Sequence, residues 1–405
     1  MRHQASGNAD RLRIAMIGTR GVPASYGGFE TAVDEIGRRL AARGHEITVY
    51  CRNQTGEKRD EYLGMRLVYR PALRRKSLET LSHTALSVTH ALGNRPDAAF
   101  VFNAANAPFV PLLHTRRIPT AVHVDGLEWM RGKWGRVGRQ YYRAAESIAV
   151  RSADALIADA QGIADYYSDE FGVPTELLTY GAPIQRTPGR DRLAELGLEP
   201  RGYHLVVARF EPENHVDMIV EGYSMSDARL PLVVVGTAPY SAEYTNAIER
   251  MASVDDRVRL LGGVWDQELL DQLYANALSY LHGHSVGGTN PSLLRAMGAG
   301  TSVTAFDVVF NREVLGDDGR YFRDEDEAGR AILASEASAE QAVAAGERLR
   351  DRAEERYNWD AVASGYEALA RRLAARSTVR SKRARRTENS AWTPAMTSVE
   401  VADRV

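Results

Sequence analysis

From Ala277 to Phe306 the chain reads as a strand, a glycine-rich loop, a helix and a second strand. The apolar run Ala277 to Leu281 leads into a loop carrying Gly283, Gly287 and Gly288. Thr289 or Asn290 can cap the helix that follows, Pro291 suits its first turn, and Gly298 and Gly300 end it. Ser302 to Phe306 is apolar again. Strands joined through a helix pair in parallel, so this stretch confines the fold to the α/β class. The N–H groups and positive dipole end of such a helix suit an anion such as phosphate. An ordinary tight βα turn has the same spacing, and spacing alone does not separate the two.

The same alternation fills the rest of the chain. Leu12 to Ile17 reads as a strand and Gly18 to Gly28 as a loop. Phe29 to Arg43 reads as a helix with Phe29, Ala32, Val33, Ile36 and Leu40 on one face, and Glu46 to Cys51 as a second strand. The loop lacks Gly-x-Gly-x-x-Gly, so it does not support a dinucleotide fingerprint. Gly27 and Gly28 still offer backbone donors at a strand's C-terminal edge. Glu30 either complements the helix dipole or contacts a ligand. Further strands are expected at Ala98 to Phe102, Pro119 to Val124 and Asp154 to Ala160. Tyr180 to Gly202, rich in Gly, Pro and charge, reads as a linker. After it the pattern restarts. Strands are expected at Tyr203 to Arg209, Pro231 to Thr237 and Arg257 to Gly262. Helices are expected at Asn214 to Met225, Ser241 to Ser253 and Asp266 to Asn276. Two successive α/β halves imply a cleft between them.

The expected domains are residues 12–185 and 186–357, a terminal amphipathic helix at 358–376, and disordered ends at 1–11 and 377–405. Arg371 to Arg386 carries eight basic residues and no acid. The formal charge of −2 gives no reason to expect nucleic acid as a partner. The single cysteine, Cys51, excludes an internal disulfide and a multi-cysteine metal site. No Asp-x-Asp follows an apolar strand, so no bound metal is expected. No apolar run approaches the roughly 18 residues of a membrane span, and the N-terminus lacks a signal-peptide core. A cytoplasmic protein is therefore expected.

Two sets of side chains stand where strands end. His123, Asp125, Glu128, Trp129 and Arg131 follow the strand that closes at Val124. Acids there can orient or deprotonate a hydroxyl, and an indole face suits the C–H face of a sugar ring. Arg209 follows a strand of the second half and can pair with phosphate or with a surface acid. From Arg131 to Arg151 six basic residues and one acid interleave with Trp134, Tyr141 and Tyr142. That face is either solvated or turned to anionic lipid or pyrophosphate.

Taken together, these motifs resemble the retaining glycosyltransferases of family 4, with the GT-B architecture of two Rossmann-like domains whose parallel sheets face a central cleft. The closer likeness is to bacterial rhamnosyltransferases of cell-surface polysaccharide synthesis. It is carried by Gly18-Thr-Arg-Gly-Val-Pro-Ala-Ser-Tyr-Gly-Gly-Phe-Glu-Thr31, Val124-Asp-Gly-Leu-Glu-Trp129, Ala208-Arg-Phe-Glu-Pro-Glu-Asn214, and His282 to Asn290 with Pro291-Ser-Leu-Leu294. It spans Leu12 to Leu373. The resemblance implies metal-independent transfer of a sugar with retained configuration and no resident cofactor. The implied donor is a nucleotide sugar, dTDP-L-rhamnose. The implied acceptor is a saccharide or a prenyl-pyrophosphate-linked saccharide. The implied place of work is the cytoplasm, with peripheral contact to the inner face of the plasma membrane.

By motif position it also implies roles. Asp125, Glu128 and His123 would be catalytic. Arg209, Asn214, Gly27, Gly28, Gly288, Thr289, Asn290 and Arg295 would hold the donor. Tyr26, Glu30, Trp129 and Arg131 would hold the acceptor. Asn214 stands where many members have lysine. Gly287 and Arg295 stand where members carry two glutamates. A cation at 295 cannot accept a ribose hydroxyl, though it can add charge near phosphate. A UDP- or GDP-sugar donor and a non-catalytic glycan-binding homologue are the alternatives that follow.

Overall fold

A computed structural model describes residues 11–378 except 25–26, 54–57, 74–77, 125, 133 and 239–240. The chain divides into two compact units. One takes in the described residues of Met1–Trp129, Arg136–Thr179 and Trp359–Val405, the other those of Met130–Gly135 and Tyr180–Asn358.

The first unit is built on an eight-stranded sheet. Its strands are β1 (Arg13–Ile17), β2 (Glu46–Arg52), β3 (Glu61–Tyr62), β4 (Met65–Arg70), β5 (Ala98–Phe102), β6 (Thr120–His123), β7 (Ala155–Ala158) and β8 (Glu176–Leu177). They lie in the order β3-β4-β2-β1-β5-β6-β7-β8, parallel except for the short β3–β4 pair. Ile14 to Ile17 and all of β5 are buried, as strands covered on both faces must be. Its helices are α1 (Gly28–Ala42), α2 (Glu79–Asn94), α3 (Val110–Thr115), α4 (Arg136–Ser152) and α5 (Gln161–Phe171). On α1 the expected stripe of Ala32, Val33, Ile36 and Leu40 is buried.

The second unit holds a six-stranded, wholly parallel sheet in the order β11-β10-β9-β12-β13-β14. These strands are β9 (His204–Val207), β10 (Leu232–Val235), β11 (Val258–Gly262), β12 (Ser279–His282), β13 (Ser302–Phe306) and β14 (Arg320–Phe322). The helices are α6 (Val216–Ser224), α7 (Ala242–Ala252), α8 (Gln267–Asn276), α9 (Pro291–Gly298), α10 (Val309–Leu315), α11 (Glu325–Ala337) and α12 (Ala339–Arg356). Asp266 caps α8 by accepting the N–H groups of Glu268 and Leu269 at 3.0 and 3.1 Å.

Two features differ from the sequence reading. The stretch 180–202 is an ordered part of the second unit. Gln272 of α8 donates to Asp191 at 2.9 Å and accepts the Arg192 N–H at 2.9 Å, and Asn276 donates to the Gly189 carbonyl. These partners lie far along the chain, where composition does not reach. The last helix, α13 (Trp359–Ala374), packs on the first sheet rather than forming a segment of its own. Tyr366 meets Phe100 edge-on at 5.1 Å, and Arg372 forks onto Glu176 at 2.8 Å. The ends expected to be disordered lie almost wholly outside the described residues. Among the described residues no helix is long and apolar enough to cross a membrane.

Candidate functional site

In the first unit the loop after β1 folds back onto helix α1. The Glu30 carboxylate accepts the Arg20 N–H at 2.9 Å, and the Asp34 carboxylate accepts the Ala24 N–H at 3.0 Å. Gly27 has φ +101°, and a Cβ there would run into the Glu30 carboxylate, so only glycine lets the acid close over the loop. Glu30, expected at the acceptor, gives one carboxylate oxygen to the loop's own backbone. The carboxylate beside Gly27 also opposes the approach of a diphosphate expected at Gly27 and Gly28. Burial raises the Asp34 carboxyl above its ordinary range.

His123 ends β6 with its ring buried edge-on against Phe29 (5.1 Å) and Phe102 (5.7 Å). Burial lowers its pKa to about 3, so the imidazole is neutral. Glu128 is buried in a short 3₁₀ turn, Glu128–Met130. The Trp129 ring has the Arg143 guanidinium 4.8 Å from its centroid, which engages the indole face expected for a sugar. Asp125 and Tyr26 lie outside the described residues. Cys51, at the end of β2, is buried, and burial pushes its thiol up to about 11.

The second unit gathers the cations. Arg209 lies two residues beyond β9, its guanidinium 3.1 Å from the buried carboxylate of Glu211. Arg131, expected on the acceptor side, belongs to this unit. Its Nη2 lies 3.9 Å from where a Cβ on Gly287 would sit. His282 ends β12, and burial lowers its pKa to about 3. His284 follows, half-buried, with its Nδ1 2.7 Å from Asn214 Oδ1. The Asn214 amide nitrogen donates to the Arg209 carbonyl at 2.8 Å. Asn290 caps α9 by accepting the Ser292 N–H at 2.8 Å, which commits its side chain to the helix. Thr289 is buried and Gly288 half-buried beside it.

Arg295 is turned away from this cluster's needs. It binds Asp271 at 2.8 Å and Gln267 at 2.9 Å, and its guanidinium lies over the Tyr274 ring. The cation expected near phosphate is an ion-pair member between α8 and α9. Two further residues of the cluster, Glu213 and His284, are not singled out by the sequence. Glu213 is buried, and neither of its carboxylate oxygens has a hydrogen-bond partner among the described residues. Their only signal is membership of the quoted Glu-Pro-Glu-Asn and His-Gly-His runs. Among the described residues no three His, Cys, Asp or Glu side chains group as a metal site.

Two mainly parallel α/β sheets, the second with cations near the ends of β9 and β12, define a pair of Rossmann-like units. Comparison with known proteins names the family. Residues 27–181 match a glycosyl transferase 4-like domain and residues 201–338 match glycosyl transferases group 1. The chain belongs to the GT-B glycosyltransferases.

A sucrose-phosphate synthase from Thermosynechococcus elongatus superposes with a TM-score of 0.77 at 21% identity, over 90% of this chain and 100% of that one. Anabaena HepE in complex with UDP-glucose gives 0.72 at 15% identity, over 89% and 100%. Among curated proteins, the GtfA subunit of a Streptococcus gordonii UDP-N-acetylglucosamine–peptide N-acetylglucosaminyltransferase is 31% identical over 30% of this chain and 24% of its own length. The O-antigen chain mannosyltransferase B of Escherichia coli is 26% identical over 36% of this chain and 40% of its own. The matched stretch is thus less than half of each curated relative.

Proposed function

We propose that this protein transfers a sugar from a nucleoside diphosphate donor to a saccharide acceptor. The observation that carries the reading is the cluster of Arg131, Arg209 and the α9 N-terminus at the ends of β9 and β12. As the glycosidic bond breaks, charge builds on the leaving diphosphate. Fixed guanidinium groups and helix N–H groups stabilise that charge without a metal. Asn214, Gly288 and Thr289 line the donor side of this arrangement, and Asn290 holds the helix end in place. In the first unit Asp125, Glu128 and His123 serve the acceptor hydroxyl. A front-side attack, in which the departing phosphate oxygen helps take the acceptor proton, retains the anomeric configuration.

The donor proposed is dTDP-L-rhamnose, on the motif likeness at Gly18 to Thr31 and His282 to Leu294. HepE is in complex with UDP-glucose and the GtfA relative is named for UDP-N-acetylglucosamine, so a UDP- or GDP-sugar is the alternative. The acceptor proposed is a saccharide, free or carried on a prenyl pyrophosphate. Helix α4 offers a peripheral membrane face, since Val137 is 80% exposed between Arg136 and Arg139. The non-catalytic alternative rests on Arg295 standing where family members carry a ribose-binding glutamate; its ion pair with Asp271 leaves that substitution in place.

Calorimetry with dTDP-rhamnose, UDP-glucose and GDP-mannose, followed by turnover on a prenyl-pyrophosphate-linked sugar, tests the reading. Selective binding of dTDP-rhamnose with turnover is expected. Turnover with another donor keeps the enzyme and discards rhamnose. No binding of any nucleotide sugar overturns the proposal.

A further inference from the structure

The cluster at the end of β12 is rich in donors, yet it contains an acceptor that a diphosphate has no use for. Asn214 donates through Nδ2 to the Arg209 carbonyl at 2.8 Å, which turns its Oδ1 toward His284. An amide oxygen only accepts, so the 2.7 Å contact requires a proton on His284 Nδ1. Burial, then the nearby Arg131, His282, Arg209 and His215, hold this imidazole well below its ordinary range, so it carries one proton only. The lone pair is therefore on Nε2.

Nε2 faces the glycine loop. It lies 3.1 Å from where a Cβ on Gly287 would be, and Gly287 has φ +134°. The imidazole thus fills the space that a side chain at 287 would need. Among the described residues no contact gives Nε2 a hydrogen bond, and the Arg131 Nη2 lies 3.9 Å from the same Cβ position on Gly287. The doubly esterified diphosphate of a nucleotide sugar carries no proton at neutral pH, so its oxygens would meet this lone pair unfavourably. A hydroxyl would not.

We propose that His284, locked as its Nδ1–H tautomer by Asn214, presents Nε2 as the acceptor for a hydroxyl of the donor's sugar beside Gly287. Asn214 is then a positioning residue: it sets the tautomer and touches no reacting atom. The proposal rests on the glycosyltransferase reading and assigns the sugar, rather than the nucleotide, to this side of the cluster.

The test has two parts. Nitrogen-15 spectra of labelled histidine in the ligand-free wild type report the tautomer whether or not any ligand binds. A protonated Nδ1 and a bare Nε2 are expected, with that pattern lost in Asn214→Leu. A proton on Nε2 in the wild type overturns the proposal. In the second part, dTDP and dTDP-L-rhamnose, and UDP and UDP-glucose, are titrated into wild type, His284→Phe and His284→Gln. His284→Phe is expected to weaken the nucleotide sugar about tenfold while leaving the bare diphosphate unchanged. His284→Gln, whose amide oxygen can replace Nε2, is expected to recover most of the loss. Equal weakening of diphosphate and nucleotide sugar, or no difference between the two variants, overturns the assignment. Wild type that binds no nucleotide sugar but shows the expected tautomer would sink the functional reading and leave the Asn214–His284 geometry standing.

Discussion

The two glycine loops, 18–28 and 283–290, follow strands and open helices in the same way, and they differ in what their surroundings do with backbone N–H groups. In the first, two carboxylates from the next helix turn back and take the donors: Glu30 takes the Arg20 N–H and Asp34 takes the Ala24 N–H. In the second, the neutral side chain of Asn290 caps the helix, and Arg131 and Arg209 lie alongside. A βα turn with glycines is therefore not by itself an anion site. The charge brought to it decides. In the first loop carboxylates take backbone N–H donors, while the second has Arg131 and Arg209 near its glycines, with Glu211 paired to Arg209.

That contrast can be broken by exchange of charge. Arg209→Ala is expected to weaken nucleoside diphosphate binding by roughly 1.5–3 kcal/mol, the range for a hydrogen bond to a charged group, as read by calorimetry. Loss of less than twofold would remove Arg209 from the diphosphate site. Glu30→Ala frees the Arg20 N–H and uncovers Gly27. It is expected to cost about 1–3 kcal/mol of stability in urea unfolding with diphosphate affinity unchanged. Tighter diphosphate binding in that variant would mean the first loop is an anion site held shut by its acid. Asn290→Ala is expected to lower stability by about 1 kcal/mol through loss of the α9 cap, checked by the same unfolding curve.

The last prediction concerns pH. His123 has a folded pKa of about 3 against an unfolded value of about 6.5, so the unfolded chain binds the extra proton between those values. The stability contribution is complete above pH 6.5 and is lost as pH falls toward 3. The melting temperature is expected to fall in that window, and His123→Phe, which keeps an aromatic ring against Phe29 and Phe102, to flatten the fall. An unchanged slope would show that His123 is not among the histidines that titrate in this window.

Much of the fold was legible in the sequence because its signals are local. Buried parallel strands read as continuous apolar runs, as at Leu232 to Val235, and an amphipathic helix such as α1 shows its face through spacing. Asp266 was readable as a cap and the α9 cap as Thr289 or Asn290, since a cap bonds to N–H groups two or three residues away; the structure selects Asn290. Of the candidate site, the sequence offered Arg209 and the glycine loop, which stand beyond β9 and β12. It was not legible in its hydrogen bonds. Glu213 and His284 stand within motifs but have no local signature.

What the sequence by itself determined, then, is the α/β alternation, the two halves and the ends of the helices. Each rests on interactions within one or two turns of chain. What only the tertiary structure decided is where long polar side chains spend their charge. Arg295 pairs with Asp271, and Arg131 comes to lie beside Gly287. The stretch 180–202 docks on α8, and α13 returns to the first sheet. The physical reason is that a buried or half-buried polar group must find a partner, and the nearest one in space is often remote in sequence.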